Sequence, residues 1–139
     1  MTKSYSRTYH HYMSLALVTG ASRGIGRAIA EDLAAAGATV VINYHSNADA
    51  AAEVVAGIVE KGGTAVSIRA DVSDFAAAQE LIKETIATYG HIDILVNNAG
   101  TTRDGLLMTM KEDAWDTVLD TNLKSVFNCC KAVARPMVR

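Results

Sequence analysis

The stretch from Leu15 to Gly26, LALVTGASRGIG, constrains this chain more than any other. A short apolar run ends in Thr19-Gly20, glycines follow at positions 24 and 26, and an Ala-rich pattern of helical spacing then begins. Strand, glycine-rich turn and helix start, in that order, are what a phosphate-binding corner needs. The backbone must turn sharply after the strand and approach an anion without a Cβ in the way, and the first helical turn then presents free N–H groups and the positive end of its dipole. The bare alternative is a tight turn that holds no ligand.

The rest of the chain alternates in period. Residues 15–19, 39–43, 65–69 and 92–96 read as short, apolar or β-branched strands. Between them lie helical patterns: one from Gly24 with Ile25, Ala28, Ile29 and Leu33 as its apolar stripe and Gly37 as its stop, and one over 48–61 with Val54, Val55, Ile58 and Val59 inward and Gly62-Gly63 at its end. A third starts near Asp74, capped by the Ser73/Asp74 pair, and ends at Gly90. After a loop through 101–105, helical spacing returns over 111–120 and 122–135, and Pro136 is expected to end or kink the last helix near Arg135. Strands alternating with helices of this length predict βαβ units and one α/β domain: a Rossmann-type, doubly wound parallel sheet covered on both faces.

Bulk properties narrow the function. Half of the 139 residues are apolar, which fits a packed domain. The net charge of −2 gives no sign of a nucleic-acid partner, and no apolar run nears the roughly 20 residues that cross a bilayer. Residues 1–12 read as a flexible extension ahead of a domain over 13–139, with Met13 as an alternative start. His10-His11 in that tail read as solvated side chains, so no metal site is expected. Cys129 and Cys130, adjacent on an apolar helix face, read as buried thiols of a reducing, cytoplasmic compartment.

Three features bear on what the corner would hold. The end of the second strand, Asn43-Tyr44-His45-Ser46, has no carboxylate of the kind that hydrogen-bonds the ribose of NAD, and Arg23 sits inside the glycine turn. A guanidinium with small hydroxyl and amide donors attracts a 2′-phosphate, so Arg23, Asn43 and Ser46 point to NADP(H). Asp71-Val72 follows the third strand, where a carboxylate either accepts from an adenine amino group or starts a helix. Asn97-Asn98-Ala99-Gly100 ends the fourth strand, as room for a flat ring or as a plain turn.

With T-G-A-S-R-G-I-G, Asp71-Val72, N-N-A-G and Asn122 in this order, the chain resembles the short-chain dehydrogenase/reductase family, and within it the 3-oxoacyl-[acyl-carrier-protein] reductases, to which the segment 102–133 is similar. The likeness runs from Leu15 onward and corresponds to the amino-terminal half of a typical member. It implies that Gly20, Ser22, Arg23, Gly24, Ile25 and Gly26 hold pyrophosphate and 2′-phosphate. Asp71 and Val72 would flank adenine, and Asn98, Ala99 and Gly100 would line the nicotinamide-side ribose. Asn122 would be the family's catalytic Asn in a water-linked proton relay; read alone, it is a helix residue bonded to backbone.

The resemblance further implies NADPH-dependent reduction of 3-oxoacyl thioesters in fatty acid biosynthesis, a small-molecule or carrier-linked substrate, and a homo-oligomer, tetrameric in the family, with the last two helices at a dimer interface. The family's Ser and Tyr-x-x-x-Lys are absent here: four positions after Tyr5, Tyr9, Tyr12, Tyr44 and Tyr89 stand Tyr9, Met13, Ala16, Ala48 and Asp93. The chain is thus expected to be the cofactor-binding half, inactive alone, with sheet order 3-2-1-4 and an apolar edge at 92–96 that favours marginal stability or self-association. Two other functions fit: a non-catalytic dinucleotide-binding or interaction module, and a reductase of acetoacetyl-CoA, a sugar or a steroid.

Overall fold

The computed structural model describes residues 14–138; the expectations on the N-terminal extension, Met13 and His10-His11 lie outside the described residues. Four parallel strands, β1 (Leu15–Val18), β2 (Thr39–Tyr44), β3 (Thr64–Arg69) and β4 (Ile94–Val96), stand in the order β3-β2-β1-β4. Helices α1 (Gly24–Ala35), α2 (Ala48–Glu60) and α3 (Phe75–Tyr89) connect them, and α4 (Glu112–Leu119) and α5 (Ser125–Val138) follow. This is the expected Rossmann-type sheet. The chain first winds outward from β1 to β3, then returns to place β4 on the other side of β1. That reversal opens a crevice at the carboxyl ends of β1 and β4.

Alternation along β1 divides the core. Ala16 and Val18 pack with Val40 and Ile42 of β2 under α1 and α2, whereas Leu15 and Leu17 pack with Val41 under α3 and α5. β1 and most of β2 are covered on both faces, which is why they read as continuous apolar runs. Each Val, Leu or Ile side chain so buried contributes about 1.5–3 kcal/mol.

Several details depart from the sequence reading. The buried row of α1 is Gly26, Ala30 and Ala34, spaced by four, while Ile29 and Leu33 are half-buried, Ala28 is exposed and Ile25 is 75% exposed. Small residues occupy the line nearest the sheet because the helix approaches it closely, and the larger ones flank that line. On α2, Ala51, Val54 and Ile58 are buried but Val59 faces outward. β4 begins at Ile94 and not at 92. The Asp93 carboxylate accepts from Leu15 N at 2.7 Å, so a side chain replaces the ladder bond there.

Cys129 is buried, as expected, but Cys130 is exposed. Successive helical residues point about 100° apart, so two neighbours cannot share one buried stripe. Pro136 does not end α5, which continues to Val138. In the last turn the ring removes only one donor, while Cys129 and Val133 fix the preceding turns in the core. The two C-terminal helices are also continuous. A π-helical segment, Asp120–Lys124, joins α4 directly to α5 where a break was expected.

Candidate cofactor site

The glycine corner is anchored to both neighbouring strands. Thr19 N donates to Val96 O at 3.0 Å and Ala21 N to Asn43 O at 2.9 Å. Gly20 has φ +61°, and a Cβ on it would lie 2.8 Å from Ala99 Cα, so only glycine fits this contact between the corner and the end of β4. Gly26 serves differently. A Cβ there would collide with Asn98 Nδ2 and Gly20 O, so this glycine lets α1 start close behind the turn.

A single hydroxyl ties the two loops together. Thr19 Oγ1 accepts from the amides of Asn98 and Ala99, each at 3.0 Å, and donates to Val96 O at 3.3 Å. Asn98 returns the link, its Nδ2 donating to Thr19 O and Gly20 O at 3.0 Å. Asn43 is buried and equally committed: its amide nitrogen donates to Ala70 O at 3.1 Å and Ile68 O at 3.4 Å, and its Oδ1 accepts from Gly20 N at 3.4 Å. The Asn43 donors expected for a 2′-phosphate are therefore spent on the protein's own carbonyls, because a side chain beneath the corner must satisfy buried backbone groups.

Around this frame a cleft of about 800 Å³ opens at the carboxyl ends of the strands. Of the residues predicted for the cofactor, all but Gly26 line it. Gly20, Ser22, Arg23, Gly24 and Ile25 form one wall, Asn43 and Ser46 stand at the end of β2, Asp71 and Val72 follow β3, and Asn98, Ala99 and Gly100 follow β4. Thr19 holds the frame from behind, and His45, Ser73, Thr101 and Arg103 also line the cleft, although the sequence reading assigned none of them to the cofactor.

The N-terminus of α1 meets this cleft uncapped. Arg23, at the cap position, makes no side-chain capping bond, and the first turn holds no acidic residue. The other two crossover helices are closed: Asn47 accepts from Ala50 N at 3.0 Å and Asp74 from Ala77 N at 2.7 Å. An open N-terminus beside a guanidinium is an anion site in chemical terms. Opposite it, Asp71 Oδ1 accepts from Ser73 Oγ at 2.6 Å and Ser73 N at 3.0 Å. Partial burial resists ionisation of this carboxyl, but the two Ser73 bonds and nearby His45 outweigh it and hold the pKa below the usual range. Asp71 Oδ2 remains for other partners, with His45 Nε2 3.8 Å away.

Two asparagines bind the C-terminal helices to the two ends of the cleft. Asn122, within the π segment, accepts from Thr101 N at 2.9 Å and donates to Thr101 O at 2.8 Å, but does not itself line the cleft. The wider turn lets its amide meet the Thr101 peptide on both sides, and π segments recur at functional positions. Asn128 on α5 is fully buried and donates to Val72 O at 3.0 Å and Ser73 O at 3.2 Å. A polar residue beside Cys129 on an otherwise largely apolar stripe was its only sequence signal. Asn97 turns away, its amide on Cys130 Sγ at 3.4 Å. Among the described residues no three His, Cys, Asp or Glu side chains group as metal ligands, and no helix is long and apolar enough to cross a membrane.

This corner, crevice and sheet order define a dinucleotide-binding domain, and the profile of the short chain dehydrogenase family matches residues 14–139. The chain belongs to that family. Among its relatives are the 3-oxoacyl-[acyl-carrier-protein] reductases FabG of Staphylococcus epidermidis, 52% identical over 124 residues, and of Escherichia coli, 46% identical over 125. These alignments cover 89% and 90% of this chain but 51% and 50% of the relatives. The chain thus spans about half the length of the curated relatives it matches. Among solved structures, a metagenomic short-chain oxidoreductase in complex with NADP superposes with a TM-score of 0.86 at 40% identity, covering 90% of this chain and 57% of that one. A short chain dehydrogenase from Burkholderia cenocepacia in complex with NADP gives 0.85 at 44% identity, covering 89% and 51%.

Proposed function

We propose that this chain is the NADP(H)-binding half, over residues 13–139, of a cytoplasmic reductase that converts 3-oxoacyl thioesters to 3-hydroxyacyl thioesters in fatty acid biosynthesis. The observation that carries the cofactor reading is the open N-terminus of α1, with Arg23 beside it and no carboxylate at the end of β2. Gly20, Ser22, Arg23, Gly24 and Ile25 would take the phosphates, with Ser46 at the 2′-phosphate end. Gly26 supports the corner by letting α1 approach, and Asn43 supports it from beneath. Asp71 Oδ2 and Val72 would meet adenine; Asn98, Ala99 and Gly100 would border the nicotinamide ribose. The cofactor supplies the hydride when bound.

Asn122 orients the Thr101 peptide, and in the whole enzyme it is the residue proposed for the proton relay. Ala99 and Gly100 keep the adjoining floor free of bulky side chains. Substrate recognition, carrier-linked or not, belongs to the whole protein, as does a homo-oligomer built on α4 and α5, where Trp115, Leu123 and Phe127 are exposed.

Calorimetric titration tests the cofactor reading: NADPH binds more tightly than NADH, and Arg23→Ala narrows the gap. Equal affinities for the two nucleotides refute it. For the reaction, NADPH consumption with a 3-oxoacyl thioester is expected from the full-length protein and not, above background, from the 139-residue chain. A non-catalytic binding module is the second reading. A full-length product inert with every 3-oxo substrate would establish it.

A further inference from the structure

A carboxylate in a loop turns freely unless the peptides on both sides of it are held. Asp71 is held on both sides by a buried asparagine. Before it, Asn43 of β2 donates to Ile68 O at 3.4 Å and Ala70 O at 3.1 Å. After it, Asn128 of α5 donates to Val72 O at 3.0 Å and Ser73 O at 3.2 Å. Asn128 is fully buried, and Ser125 and Cys129 on the same helix are buried with it, so its amide rides on a packed element.

This amide is not placed to satisfy itself. Its Oδ1 has no hydrogen-bond partner among the described residues, and the neighbouring core of Leu81, Ile82, Cys129 and Val133 is apolar. A buried acceptor left unpaired costs free energy that a leucine, with the same branched shape, would not. The gain from Asn128 lies in the loop. One of the carbonyls it fixes belongs to Ser73, which donates to Asp71 Oδ1 from Oγ at 2.6 Å and from its backbone N at 3.0 Å. One carboxylate oxygen is thereby fixed, and Oδ2 keeps a set place on the cleft wall.

We propose that Asn128 is a positioning residue for the adenine end of the site: through Ser73 it fixes the Asp71 carboxylate, and so sets how sharply the site distinguishes a 6-amino purine from a 6-oxo purine. This rests on the reading above that places Asp71 at adenine. An ionised carboxylate only accepts. It takes a hydrogen bond from the 6-amino group and opposes the carbonyl oxygen that hypoxanthine carries at the same point. A carboxylate free to turn escapes that opposition and weakens the bond as well, so discrimination depends on how firmly Asp71 is held.

The test is calorimetric titration of the chain with NADPH and with its deaminated hypoxanthine analogue. Wild type is compared with Asn128→Leu, Asn128→Ser, Ser73→Ala and the double variant Asn128→Leu/Ser73→Ala, each checked for folding by circular dichroism. Wild type is expected to bind NADPH about tenfold or more tightly than the analogue, the scale of one hydrogen bond to a charged group. Each single variant should reduce that ratio about threefold or more, and the double variant no further than the larger single effect, because the two residues act in series. A loss of affinity shared equally by both nucleotides is what a merely structural role produces, and it refutes the proposal. An unchanged ratio, or additive effects in the double variant, refutes it too. Should neither Asn128 variant fold, Ser73→Ala decides: a reduced ratio supports the relay and a wild-type ratio overturns it. If wild type binds the two nucleotides equally, or binds neither, the placement of adenine at Asp71 fails and this inference with it.

Discussion

Thr19→Val removes one hydroxyl and preserves the shape of the side chain, so it isolates the link between the glycine corner and the end of β4. Thr19 is 1% exposed, and valine would leave no cavity. What it leaves is two amides, Asn98 N and Ala99 N, without their shared acceptor, and Val96 O without its side-chain donor. An orphaned buried donor costs about 1–3 kcal/mol. Asn98 and Ala99 are half-buried, so water reaches part of the gap, and the expected loss is about 2–4 kcal/mol. That is a large share of the ~5–15 kcal/mol of an ordinary domain, equivalent to roughly 10 °C in Tm.

Thr19→Ser keeps the hydroxyl and removes one buried methyl, for about 1 kcal/mol. Urea denaturation followed by circular dichroism ranks wild type above Thr19→Ser above Thr19→Val, and NADPH titration shows affinity falling in the same order. If Thr19→Val stays within about 0.5 kcal/mol of wild type, or if Thr19→Ser is the less stable of the two, the hydroxyl is not the tie described here.

Gly26→Ala places a methyl against Asn98 Nδ2 and Gly20 O, and should cost about 2 kcal/mol or more by urea unfolding while weakening NADPH binding. With a thiol reagent on the native chain, Cys130 should react quickly and Cys129 only on unfolding, and Cys130→Ser should abolish the fast phase; two fast thiols would contradict the burial of Cys129. Burial, and then the neighbouring Cys130, push the Cys129 thiol up to about 11, so the unfolded chain loses that proton at a lower pH than the folded one. Stability is therefore expected to fall as pH rises from the ordinary thiol range toward 11, and the alkaline slope should be smaller in Cys129→Ala. Asp71 behaves oppositely: its stabilisation is present above the usual carboxylate range and is lost as pH falls through its lowered pKa, which a comparison with Asp71→Asn in acid unfolding detects. Because β4 is an edge strand and Leu123 and Phe127 are exposed, light scattering is expected to show the isolated chain self-associated; a monodisperse monomer with a sharp, high-temperature transition would contradict this.

The four strands and the first three helices lie within about two residues of where period and punctuation place them, because those signals are local. Asn47 and Asp74 cap by reaching three residues ahead, and the turn glycines adopt positive φ within their own peptide. The residues of the cleft were legible for a related reason. In a parallel sheet the residues just after each strand all arrive at one end, so reading the strand ends 43–46, 71–72 and 97–100 amounts to reading the crevice.

What the sequence by itself determined, then, is the alternation of elements, the uncapped glycine corner and the set of residues gathered around it. The tertiary structure decided what each of them does. Thr19 and Asn98 meet across 79 positions, and Asn128 reaches Val72 across 56, distances over which no periodicity carries information. Only the packed arrangement turns Asn43 from a ligand donor into a strut and buries Gly26, Ala30 and Ala34 in place of Ile25. It likewise separates Cys129 from Cys130 and bends the helix path at Asn122 into a π segment. In each case the reason is the same: a buried polar or apolar group must be satisfied by whatever the fold brings beside it, and that neighbour is not its neighbour in the chain.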